Sequence, residues 1–135
     1  MSYKERMRVS VSNAEIDIFY ELRRRKLVRG LTRQHPFVFD LKKDIVAGTT
    51  IDLFWGTPEI RPHYAAFIDG VAVGKTGVSK LHLTSRQQRR DELVTAALER
   101  RGIHVDRFPY EPPLRKWRKL EICDAIEAVL KKSGY

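Results

Sequence analysis

The chain has 135 residues, 42% of them hydrophobic, with 26 Lys and Arg against 17 Asp and Glu and a formal net charge of +9. One domain of this length buries roughly two-thirds of the surface its unfolded chain exposes without disulfides or a structural metal, and its single cysteine, Cys123, excludes an internal bridge and points to a reducing, cytoplasmic setting. No run approaches the ~18 apolar residues of a membrane span, the basic start MSYKERMRVS lacks the apolar run of a secretory leader, and the positive balance favours a polyanionic partner, because Lys and Arg that neutralise phosphates release counterions.

In chain order, residues 1–11 are expected to form a flexible amino-terminal segment. Ser12-Asn13-Ala14-Glu15 has the Ser-x-x-Glu spacing of a reciprocal helix cap, and Ile16, Phe19, Tyr20 and Leu27 recur at roughly helical spacing. A first helix is therefore predicted from Ser12 to near Gly30. Its far end carries Arg23, Arg24, Arg25, Lys26 and Arg29, more positive charge than the helix dipole needs. The period then changes. Phe37–Phe39, Thr50–Trp55 and Tyr64–Ile68 are short runs rich in β-branched and aromatic residues, separated by Gly48, by Gly56-Thr57-Pro58 and by Gly70, and read as strands. Gly70 to Leu83 has three glycines and no clear period, and reads as a functional loop.

A second helix is predicted from Thr84-Ser85, where Gln88 follows Ser85 by three, with Leu93, Ala96, Ala97 and Leu98 facing the core and Gly102 as its stop. Ile103 to Phe108 alternates apolar and polar residues as a half-buried strand does. A turn with Pro109, Pro112 and Pro113 leads to a last helix bearing Leu114, Trp117, Ile122, Ile126, Val129 and Leu130. The prediction is one α/β domain over residues 1–135, in the order α-β-β-β-α-β-α, with a mixed central sheet flanked by helices on both faces.

One motif is misleading. Gly70-Val-Ala-Val-Gly74-Lys75-Thr76 looks like a phosphate loop, but it has three residues between its glycines where that loop needs four. The acidic residues are more telling. Asp52 interrupts the apolar run Ile51-Asp52-Leu53-Phe54-Trp55, where a carboxylate loses hydration unless it is paired or bound to a cation. Asp69 closes the next strand, so adjacent antiparallel strands would bring the two within reach of one hard cation such as Mg²⁺. Asp69 also reads as the start of an Asp-Gly turn.

Ala14-Glu15 in a helix, Arg33-Gln34-His35-Pro36 before a strand, Ile51-Asp52 in a strand, Phe67-Ile68-Asp69-Gly70 ending the next, then Asp91 to Gly102-Ile103 and Val105-Asp106-Arg107-Phe108 make a succession. It resembles the very-short-patch-repair type of endonuclease, and the small bacterial endonuclease-like domains sharing that core, within the PD-(D/E)XK, or restriction-endonuclease-like, superfamily. The resemblance covers about residues 12 to 130. It implies that Asp52 is the metal-binding aspartate, that the Ile68 backbone carbonyl or the Asp69 side chain is a second ligand, and that Glu15 and Asp91 approach from the two helices. Glu15 and Asp91 also read, respectively, as half of a capping box and as an exposed first-turn acid.

Two positions depart from the related domains. Phe67 stands where they often carry a glutamate, and Val73-Gly74-Lys75 where the repair enzymes have a histidine acting as general base; His63 and His82 are only approximate neighbours. The expected function is Mg²⁺- or Mn²⁺-dependent hydrolysis of phosphodiester bonds in DNA, with Glu15, Asp52, Asp69, Asp91 and Lys75 as the catalytic set. Phosphates of duplex DNA would be held by Arg24, Arg25, Arg29 and Arg33 on one side and by Lys75, Lys80, Arg86, Arg89 and Arg90 on the other. The departures keep open a catalytically silent nucleic-acid-binding module on the same scaffold. A third reading is an assembly protein that meets a partner through the aromatic segment around Tyr110 and Trp117.

Overall fold

Apolar residues one helical turn apart start the architecture: Ala14, Ile18 and Leu22 make a buried stripe, and Ile122, Cys123, Ile126 and Leu130 make another. The computed structural model describes residues 3–39, 46–56, 63–70 and 77–135, with side chains described for 13–39, 46–56, 63–70 and 85–135. The elements are α1 (Tyr3–Arg24), β1 (Leu31–Val38), β2 (Gly48–Trp55), β3 (Tyr64–Gly70), α2 (Gly77–Glu99), β4 (His104–Tyr110) and α3 (Lys116–Lys132). The predicted order of elements is therefore found.

The four strands form one sheet in the order β1-β2-β3-β4. β1 and β2 are antiparallel, as are β2 and β3, while β3 and β4 run parallel. A parallel pair needs a long crossover, and α2 supplies it. Pro36 and Pro109 lie inside β1 and β4, which are the two edge strands and so can lack a main-chain donor. One face packs Leu53, Trp55, Tyr64, Ala66 and Phe108 against α1 and α3; the other packs Phe54, Ala65 and Phe67 against Val94, Ala97 and Leu98 of α2. The result is a mixed sheet with helices on both faces.

Several boundaries differ from the sequence reading, and β1 starts at Leu31 and not at Phe37, so Arg33-Gln34-His35-Pro36 lies inside a strand and not before it. α1 runs from Tyr3, so Ser12 lies inside the helix and Ser12 to Glu15 is no capping box; residues 3–11 belong to that helix. α1 stops at Arg24, not near Gly30, in a turn where Lys26 takes φ 61, Lys26 N–H donates to Arg23 O at 3.0 Å and Leu27 N–H to Leu22 O at 2.9 Å. That paired closure repeats at Gly102 and Gly134, so all three helices end in the same left-handed cap. α2 begins at Gly77 and not at Thr84, which converts half of the expected loop into helix; residues 71–76 lie outside the described residues. No helix among the described residues is long and apolar enough to cross a membrane.

Candidate active site

Past the pair of Leu53 with Ala66 the ladder between β2 and β3 ends, although both strands continue. Asp52 is the next residue of β2, and its Oδ2 accepts the Ile68 backbone N–H at 2.8 Å. A carboxylate thus occupies the place of a strand-to-strand bond. On the other side of β2, Arg33 pairs with Leu53 and His35 with Ile51, which sets Gln34 opposite Asp52. Gln34 holds φ 52, a left-handed conformation that costs a non-glycine residue on the order of 1 kcal/mol. From there its Nε2 donates to Glu15 Oε2 at 2.5 Å and to Asp52 Oδ1 at 3.3 Å. Backbone strain and a shared amide donor coincide at two carboxylates, the kind of place where strain is retained for function. The disturbance also breaks alternation: Ile51 packs on the α2 face while Leu53 packs on the opposite one.

Glu15 comes from α1, in the buried stripe one turn before Ile18, and is 5% exposed. Its Oε1 has no hydrogen-bond partner among the described residues; Arg33 Nε stands 3.6 Å away as an ion-pair partner. Burial above all, and then the charge of Glu15, pushes the Asp52 carboxyl above its usual range, against the Ile68 N–H and the Gln34 amide.

Asp69, at the end of β3, is likewise raised, by burial first and then by the charges of Asp91 and Asp52, with Arg107 opposing. Arg107 of β4 lies 3.7 Å from Asp69 Oδ2 and 3.5 Å from Asp91 Oδ1, and its guanidinium sits over the Phe67 ring at 4.1 Å. It also donates to Thr95 Oγ1 at 3.1 Å, so α2 fixes its direction. Asp91 accepts a further bond from Gln87 at 2.8 Å. Beside them, Tyr110 pairs with Gly70 in the β3–β4 register. A methyl added at Gly70 would stand 3.2 Å from the Tyr110 hydroxyl. Burial, with the charges of Asp52 and Asp69, pushes that hydroxyl up, so it stays a neutral donor.

The fold thus gathers Glu15, Asp52, Asp69 and Asp91 from two helices and two strands into one neighbourhood around Gln34 and Arg107. Ile68 presents its N–H to Asp52. Lys75 lies outside the described residues, as do the side chains of Lys80 and His82. His63 precedes Tyr64 at the opposite end of β3 from Asp69, where its carbonyl accepts the His104 N–H at 2.9 Å, too far along the strand to serve this cluster. Among the described residues no three of His, Cys, Asp and Glu are grouped to enclose a metal ion by themselves.

The basic residues divide. Arg86, Arg89 and Arg90 are exposed on α2, with Arg90 donating to Gly48 O at 3.3 Å. Arg24 is exposed but paired with Glu21 at 2.6 Å; Arg29 lies over the Tyr135 ring and Arg33 over the Phe19 ring. Arg25 is only 13% exposed and pairs with Glu21, Asp124 and Glu127, which makes it a cation of the fold and not of the surface. Sequence reasoning missed Gln34, Arg107 and Tyr110 as site residues. Arg107 had a signal, a charged residue within an alternating strand run; Gln34, read as preceding its strand, and Tyr110, which only the register puts beside Gly70, had none. Compared with known protein families, with curated proteins and with solved structures, the chain matches none of them.

Proposed function

We propose that the protein is a metal-dependent nuclease of restriction-endonuclease-like build that hydrolyses phosphodiester bonds in DNA. The observation that carries this reading is the carboxylate pair of buried Glu15 and half-buried Asp52, bridged by a strained Gln34, with Glu15 Oε1 lacking a donor among the described residues. Anionic oxygens so placed are costly unless a cation joins them. The donors are all oxygens, which suits a hard divalent ion. Mg²⁺ takes one or two carboxylates and completes its shell with water and substrate phosphate, so no closed cage of three side chains is required. Asp52 and Asp69 would hold it together with the Ile68 carbonyl, which leaves the same edge of the extended strand as the N–H that meets Asp52. When bound, the ion supplies polarisation of the phosphate and a lowered pKa for the attacking water.

The chain's own residues do the rest. Gln34 fixes the separation of Glu15 and Asp52, and Arg107 limits repulsion between Asp69 and Asp91. Glu15 Oε1, buried and without a hydrogen-bond donor among the described residues, is the acceptor left over behind Asp52, and the Tyr110 hydroxyl is a neutral donor for a phosphate oxygen. Arg86, Arg89 and Arg90, with Arg29 and Arg33, would position flanking phosphates. The resemblance to very-short-patch-repair endonucleases supports DNA as the substrate. A second reading, a catalytically silent nucleic-acid-binding module, is favoured by Phe67, which is buried beneath Arg107 where related domains often carry a glutamate.

Thermal unfolding with and without Mg²⁺ or Mn²⁺, alongside cleavage of single-stranded and duplex DNA, tests the proposal. The wild type should melt higher with metal and cleave DNA, and Asp52→Asn should lose both responses, because ligand binding to the native state is what raises stability. A wild type that shows neither would leave the binding-module reading.

A further inference from the structure

Arg107 of β4 is anchored by α2 and β3, and neither of its two hydrogen bonds to α2 is to a carboxylate. Its Nε donates to Thr95 Oγ1 at 3.1 Å and its Nη2 to the Asp91 main-chain carbonyl at 3.3 Å, while the guanidinium lies 4.1 Å from the centre of the buried Phe67 ring. The two acids it serves stay farther off. Nη1 is 3.7 Å from Asp69 Oδ2 and 3.5 Å from Asp91 Oδ1, beyond the roughly 2.7–2.9 Å of a charge-assisted hydrogen bond. Arg25, by contrast, closes on Glu21 and Asp124 at 2.7 Å each. A guanidinium that only paired with acids would close up in that way. Arg107 keeps its distance because α2 and Phe67 fix it, so its position belongs to the fold and the carboxylates stand around it.

Its place among the acids gives that fixed cation a role. Glu15, Asp52, Asp69 and Asp91 follow one another across three intervals. The Gln34 amide stands in the first and donates to both Glu15 and Asp52. Arg107 stands in the last, within ion-pair reach of both Asp69 and Asp91. The middle interval, from Asp52 to Asp69, contains the Ile68 peptide, whose N–H goes to Asp52. Sites that hydrolyse phosphodiesters with two ions set them about 3.5–4 Å apart, and a carboxylate is commonly shared between them. Asp69 would be the shared group here, yet the position on its far side is taken by the anchored guanidinium. A second divalent ion at that position would meet a like charge at close range, in a partly buried site where repulsion is weakly screened.

We propose that the protein works with one divalent ion, between Asp52 and Asp69, and that Arg107 stands permanently where a second ion would bind. This rests on the nuclease reading for the first ion, and goes beyond it in the count and in the residue assigned. A guanidinium gives that position a positive charge and a fork of N–H donors suited to phosphate oxygens, but it ligates no water. Asp91 is then a partner of Arg107 and not a metal ligand. Thr95, which directs the Arg107 Nε, is a positioning residue.

The test counts ions on the intact protein with Mn²⁺ alone and no nucleic acid, by titration calorimetry and by the loss of the paramagnetic resonance signal of free Mn²⁺. The wild type should bind one ion per chain. Arg107→Gln removes the charge and should admit a second, whereas Arg107→Lys keeps the charge and should stay at one. Melting temperatures without metal show that each variant is folded. Asp91→Asn should keep the single ion of the wild type, and in the Arg107→Gln background it should remove the second. Two ions on the wild type, one ion on a folded Arg107→Gln, or loss of the ion in Asp91→Asn would each overturn the proposal and leave the nuclease reading standing. The wild-type and Asp91→Asn counts need no change at Arg107, so they decide the matter even where Arg107→Gln does not fold. A wild type that binds no Mn²⁺ at millimolar concentration would overturn both readings.

Discussion

Two clusters of acidic and basic side chains sit on the same helix, α1, with opposite electrostatics. At its carboxyl end Glu21 receives Arg24 and Arg25, and Arg25 reaches across to Asp124 and Glu127 of α3 at 2.7 and 3.3 Å. Hydrogen bonds from Arg24, then Arg25, hold the Glu21 carboxyl down at about 2. Six residues earlier on the helix, Glu15 meets Asp52 with one neutral amide between them, and burial drives Asp52 upward. One cluster has enough cations and ties two helices together. The other has longer ion pairs, Arg33 to Glu15 at 3.6 Å and Arg107 to Asp69 and Asp91 at 3.7 and 3.5 Å. The acidic residues that tie helices together and those of the candidate site are thus separable by their compensation and not by their type.

The largest expected effect breaks the second cluster. Asp52→Asn should lower the rate of DNA cleavage by about a thousandfold or more, since metal polarisation is worth several kcal/mol, as measured by initial rates on a labelled strand. Without metal the same variant should unfold at an unchanged or higher temperature, gaining on the order of 1 kcal/mol at most. Arg25→Ala should do the opposite. It should cost about 1 to 3 kcal/mol in denaturant unfolding, between the limits for exposed and buried pairs, and leave cleavage at its wild-type rate when the protein is folded.

Acid titration sharpens the contrast through the signs. Glu21 is lowered from 4.5, so its contribution is present above pH 4.5 and is lost as pH falls towards about 2. The deficit of Arg25→Ala should shrink over that window. Asp52 and Asp69 are raised from 3.8, so their contribution is complete below that value and is lost as pH rises through the folded-state values. Any stability advantage of Asp52→Asn should therefore vanish at acidic pH, as read from melting temperatures across a pH series.

Smaller effects come from Lys26 and Gln34, the two non-glycine residues with left-handed backbones among the described residues. Lys26→Gly should stabilise by up to about 1 kcal/mol with no change in activity. Gln34→Gly relieves similar strain but removes the shared donor, so it should hold stability and lose about tenfold in cleavage rate. If both variants leave activity alone, Gln34 only shapes the strand. Smallest of all, Arg89→Ala with Arg90→Ala should leave stability unchanged and reduce the salt slope of DNA binding by about one per lost phosphate contact.

The order α-β-β-β-α-β-α and the apolar interior were readable in the sequence, because both follow from local periodicity and from punctuation by glycine and proline. Asp52 stood out for the same reason, as a charge in an apolar run. Local pattern failed where tertiary contact overrode it. Ser12 to Glu15 matches a cap yet lies inside α1, which begins at Tyr3. Gly77 to Leu83 reads as part of a loop yet is helical. Arg25 looked like its neighbours in a basic run, and only the packing of α1 on α3 makes it a structural cation. The left-handed turn at Gln34, the end of the β2–β3 ladder at Asp52 and the seat of Tyr110 beside Gly70 have no local signature at all. They are properties of register, which is set by which strands pair and which faces are buried, and one residue carries no information about its partner across a sheet.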